Sequence, residues 1–110
     1  MKNTEALKKQ FMERYEKLEV TELLVNDCII LLNAVNSISD FHNVQEFITK
    51  ISGYDIHSED LETIKQILQE VCDQEIEAKV ALAHLNYLYD VTCYKRSRLM
   101  LMSEIFECFF

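Results

Sequence analysis

SEDLETIKQILQEVCDQEIEAKVALAHLNYLYDVTCY, residues 58–94, decides how the chain folds. Leu61, Ile64, Leu68 and Val71, then Ala78, Leu82, Leu85 and Tyr89, recur at the three-and-four spacing of one helical stripe. Glu75 interrupts them, and no Gly or Pro occurs beyond residue 53. The spacing predicts one long helix over 58–89. Ser58 is its N-cap, and Glu59 and Asp60 lie in the first turn, where carboxylates favour the positive helix end. The run YDVTCY at 89–94, β-branched and poor in helix formers, is the predicted break before a last helix over 92–110. VALAHLNYLYDV, residues 80–91, is apolar around almost its whole circumference and is expected at the centre of the fold.

Working N-terminally, Gly53 follows Lys50-Ile51-Ser52 and reads as the left-handed residue that ends a short helix over 41–52. Ser37, Ser39, Asp40 and Asn43 are its candidate N-caps, the last with Glu46 at capping-box spacing. Further upstream Leu7, Phe11, Tyr15, Leu18, Val25, Ile29 and Leu32 form another stripe. Glu22 breaks it beside Val20 and Thr21, so two helices are expected, over 4–19 and 21–36. One Gly and no Pro leave too little turn chemistry for a sheet. The expected fold is a single all-α domain over 1–110, an antiparallel bundle of four to five helices.

The chain holds 11 basic and 19 acidic residues, a net charge of −8, with 49% apolar and 27% charged residues. That composition suits a folded protein and disfavours nucleic-acid backbones or anionic lipid as partners. Residues 51–78 carry eight of the acids against one lysine. On the helix from Ser58, Glu59, Glu62, Glu70, Asp73 and Glu77 share the face opposite Leu61, Leu68 and Val71. They are the candidate partner-binding stripe for a basic protein, since such a field accelerates encounter. The plain alternative is a solvated outer face.

Candidates for chemistry are sparse. A bundle metal site would need Glu-x-x-His pairs, and none occurs. His42 shares a face with Glu46, and His57 precedes Glu59 and Asp60, without a ligand set. His84 reads as a packing residue among Val80, Ala81, Tyr87 and Leu88, and Asn86 lies on the seam between Leu82 and Tyr89. The only glycine is used at a helix stop, leaving none to support an oxyanion turn. Cys28, Cys72, Cys93 and Cys108 form no CxxC pair, and Met1–Gln10 is too charged for a signal peptide, so reduced thiols in the cytoplasm are expected. No catalytic residue, metal or cofactor is expected. The leading expectation is a non-enzymatic interaction protein: an adaptor, chaperone or small regulator. The alternatives are an acidic inhibitor of a basic enzyme and a small helical enzyme whose intersubunit site draws on Lys95, Arg96 and Arg98.

RLMLMSEIFECFF, residues 98–110, contains no apolar run of the roughly 18 residues a membrane span needs. Wound as a helix, it sets Leu99, Met102, Phe106 and Phe109 on one stripe, flanked by Ile105 and Phe110. Residues 80–91 already supply apolar surface for a small core. This surplus is therefore expected to form a homodimer interface, which gains each contact twice; burial within the monomer is the competing outcome.

SISDF and QEF within 37–47, and SEDLE at 58–62, resemble the first two helix starts of the colicin-type DNase immunity proteins. The resemblance implies a small four-helix acidic inhibitor. It covers these stretches alone, and that family's Tyr-Tyr-Pro element is missing: Tyr87-Leu88-Tyr89 stands in a chain without proline. No membership is inferred.

Overall fold

A computed structural model describes residues 2–109. Among the described residues every regular element is helical: α1 spans Lys2–Asn33, a 3-10 turn spans Ile38–Asp40, α2 spans Phe41–Ile51, α3 spans Ser58–Cys72 and α4 spans Ala78–Phe109. There are thus four helices.

Two expected breaks are absent, for the same reason. Residues 19–22 run straight through α1 and residues 89–94 straight through α4. In each case a buried threonine donates its hydroxyl to the carbonyl four residues back: Thr21 to Lys17 at 2.9 Å, and Thr92 to Leu88 at 2.7 Å. Low propensity costs a few tenths of a kcal/mol per residue, and packing overrides it. Leu18, Thr21, Leu24, Val25, Cys28 and Leu32 are buried along α1, as are Ala81, Leu85, Thr92 and Leu99 along α4.

The predicted helix over 58–89 is instead two helices. α3 ends at Cys72 with Asp73 as its C-cap, and Gln74 takes a left-handed conformation, φ 58°. The Gln74 N–H donates to the Val71 carbonyl at 3.0 Å and the Glu75 N–H to the Glu70 carbonyl at 2.9 Å. These are the two bonds of a Schellman stop. Gly53, expected in that conformation, does not adopt it. There α2 tightens through Gly53 N–H to Lys50 at 3.3 Å and Tyr54 N–H to Ile51 at 3.1 Å. At the other end of α2, the Asp40 carboxylate accepts the Asn36 and Ser37 N–H groups at 2.9 and 3.1 Å. Those bonds hold its carboxyl below the usual carboxylate range. The N-cap of α3 lies one residue earlier than expected: His57, not Ser58, is the flanking extended residue, and its carbonyl accepts the Leu61 N–H at 3.0 Å.

α1 and α4 lie side by side in opposite directions, as Lys8–Glu107 at 3.6 Å, Tyr15–Arg96 at 3.0 Å and Glu22–Cys93 at 2.7 Å show. α2 and α3 pair through Val44, Ile48 and Ile51 against Ile64, Ile67, Leu68 and Val71, with Gln45 and Gln69 exchanging amide hydrogen bonds at 3.3 and 3.2 Å. At 1.5 Å per residue the 32-residue helices are about 48 Å long, whereas α2 and α3 reach only about 17 and 23 Å. The short pair therefore covers one half of the long pair. The loop between them reaches back to α1, where Asp55 meets Lys17 at 3.9 Å. The result is an elongated molecule, 57 × 23 × 18 Å, with a four-helix head and a two-helix arm.

The centre of the head is Leu24, Val25, Cys28 and Leu32 with the apolar faces of α2 and α3, rather than residues 80–91. Of that stretch only Ala81 and Leu85 are fully buried; His84, Asn86 and Tyr87 are exposed. α4 is a flank of the head, not its axis, so half of its apolar circumference stays in solvent.

Candidate protein interface

The acidic residues of α3 lie where the spacing places them. Ile64, Ile67, Leu68 and Val71 face the core, and Glu59, Glu62, Glu70 and Asp73 project from the opposite side, Glu70 half-buried and the others exposed. Glu70 accepts from Gln66 at 3.1 Å and Asp73 from Gln69 at 3.1 Å. Among the described residues no ion pair neutralises any of the four. Glu77 is separated from them by the stop at Gln74; it sits in the turn before α4 and pairs with Lys79 at 3.4 Å. The stripe is therefore the length of α3 alone.

The C-terminal stripe divides. Leu99 is 6% exposed, packed inside the chain, whereas Met102 and Ile105 are exposed. The side chains of Phe106, Phe109 and Phe110 lie outside the described residues. Where the arm leaves the head, a cavity of about 340 Å3 is lined by Arg14, Lys95 and Arg98 from the long helices and by Glu59 and Asp60 at the start of α3. Leu18, Leu99 and Met102 supply its apolar part.

Arg96 points elsewhere, so Lys95, Arg96 and Arg98 do not converge on one site. Its Nε donates to Glu22 Oε2 and its Nη1 to the Tyr15 hydroxyl at 3.0 Å, with the guanidinium 5.6 Å from the Tyr15 ring centre. The Cys93 thiol donates to the other Glu22 oxygen at 2.7 Å. Burial, together with that carboxylate, pushes the Cys93 thiol up and keeps it a protonated donor; the bond to Glu22 raises Arg96 in turn. Sequence reasoning assigned Glu22 to a helix break. The signal that identifies it is Arg96 at the matching height of an antiparallel partner helix, which only the pairing of α1 with α4 reveals.

None of the four cysteines is in a disulfide, and burial pushes the Cys28 thiol from 9.0 up to about 12. His42 forms an exposed pair with Glu46 at 3.0 Å. Among the described residues no group of three His, Cys, Asp or Glu side chains is placed to hold a metal, and no helix is long and apolar enough to cross a membrane. No protein-family model matches the chain, and no curated protein or solved structure is significantly similar to it. The helix starts at 37–47 and 58–62 thus gain no family assignment.

Proposed function

We propose that the protein is a non-enzymatic interaction module that docks a basic protein partner on the outer face of α3. The observation that carries this reading is the row Glu62, Glu70 and Asp73, without an ion pair among the described residues and opposite the core, while Glu59 at the start of the row borders the cavity lined by Arg14, Lys95 and Arg98. A solvated helix face ordinarily mixes both signs; here the only cation of α3, Lys65, turns to Ser52 at 3.1 Å. Charges so placed raise the association rate and suppress acidic competitors. An acidic inhibitor that covers a basic enzyme is the special case in which the partner's basic surface is its substrate site. The helix pairings support an up-down-up-down antiparallel bundle as the scaffold, and four free thiols suit a cytoplasmic setting.

Affinity capture with the intact protein and with Glu62→Lys, Glu70→Lys, Asp73→Lys tests the reading. A stoichiometric basic partner held by the first, released by salt and lost from the variant is the expected result. Glu62 and Asp73 are exposed and half-buried Glu70 is in no ion pair among the described residues, so the variant keeps its helix content. A partner indifferent to the reversal, or none, overturns the proposal.

A further inference from the structure

α4 carries a second seam, turned away from its own chain. Val80, Tyr87, Tyr94 and Leu101 recur every seven residues, and Val91 and Ile105 each follow one of them by four. Tyr87 is 73% exposed, Tyr94 62%, Leu101 56% and Ile105 49%; only Val91 is half-buried. Exposed Cys108 takes the next heptad position, and His84 and Arg98 take the two remaining places of the four-three repeat. Isolated surface apolar residues need no explanation. Four heptads from 80 to 108, about 42 Å of helix at 1.5 Å per residue, are the pattern of a seam that expects another helix.

Charge selects the occupant and its direction. Residues 2–18 and 93–109, the arm, hold eight basic and five acidic residues, while residues 19–92, the head, hold three basic and fourteen acidic. Two copies laid parallel would set arm on arm, with Arg98 against Arg98 and His84 against His84. Laid antiparallel with Tyr94 at the axis, each basic arm lies along an acidic head. That register puts Tyr87 on the partner's Leu101, Val80 on the partner's Cys108, Arg98 on the partner's Asp90 and His84 on the partner's Glu104. Tyr94 then meets the partner's Tyr94 at the axis, Ile105 meets the partner's Ala83, Arg98 meets an opposite charge, and only Val91 meets a small polar side chain, the partner's Ser97. We infer that a second copy of this chain packs antiparallel along the outer seam of α4, related by a two-fold axis at Tyr94. The inference rests on the reading of the protein as an interaction module but uses a different helix, leaving the outer face of α3 open.

Light scattering of the intact chain should give twice its 13.0 kDa. Tyr94→Glu with Leu101→Glu should give the single-chain mass with unchanged helical circular dichroism, because both side chains are in solvent. Cross-linking reads the direction independently of whether that variant folds. In a Cys108→Ser background that itself stays uncross-linked on oxidation, Tyr94→Cys should link to itself. Tyr87→Cys and Leu101→Cys should link to each other when mixed and neither to itself. A single-chain mass for the intact protein at every soluble concentration overturns the inference, as does a dimer that survives both glutamates or Tyr87→Cys linking to itself. None of these results bears on the charge reversal of α3, so the two proposals fail separately.

Discussion

Glu22, its side chain 12% exposed, lies in the seam between the two long helices, where Arg96 and Cys93 both donate to its carboxylate. A carboxylate is tolerated there because its acceptor capacity is used; left alone, its desolvation would be costly. Removing it also strands the half-buried guanidinium of Arg96. Glu22→Ala should therefore lower stability by about 1–3 kcal/mol, the penalty for leaving a buried hydrogen-bonding partner unsatisfied, while Glu22→Gln, which keeps an acceptor, should lose less. Urea unfolding of both variants measures the order. A neutral Glu22→Ala would mean that α1 and α4 do not meet at this height.

Among the helices, the stop between α3 and α4 sets the architecture, because it folds α4 back along α1. It is built on Gln74 at φ 58°, a conformation that strains any residue with a Cβ. Gln74→Gly should raise stability by about 0.5–1 kcal/mol, the relief of the left-handed strain less the extra freedom of glycine when unfolded. In an unbroken helix over 58–89 the same substitution would instead cost roughly 1 kcal/mol. The sign of the shift in the thermal midpoint thus separates one helix from two. Thr21 and Thr92 make the complementary point: each read as a weak place in a helix, and each is buried mid-helix with its hydroxyl satisfied by the carbonyl four residues back, so packing keeps the helix continuous.

The molecule as a whole is uneven in cover. The head wraps Leu24, Val25, Cys28 and Leu32 on several sides, whereas in the arm Leu7, Met12, Met100 and Met102 are all exposed. Local opening follows contact density. In the monomeric variant Tyr94→Glu with Leu101→Glu, amides at 5–12 and 100–105 should exchange faster than those at 24–32 and 64–71 by roughly two orders of magnitude or more. Hydrogen exchange followed by mass spectrometry measures this. Uniform protection would show that the arm is held as firmly as the head and needs no cover.

The all-helical class, the short helix near 41–51, the buried stripe of α3 and the acidic row opposite it are legible in the residues, because each depends on spacing within one helix. So, in hindsight, is the heptad of α4, but two apolar seams on one helix look like a single all-round apolar helix until one of them is known to be covered. Where the helices end was not legible: Gln74 carries no turn signature, and Val20-Thr21 and Val91-Thr92 carry a misleading one, since local preferences of a few tenths of a kcal/mol yield to burial of a continuous face. Tertiary structure alone decided that Glu22 meets Arg96, that Leu99 is buried while Ile105 is not, and that the two long helices outrun the short pair. Each of these depends on which helix lies beside which, and at what height, and spacing within a single helix holds no record of that.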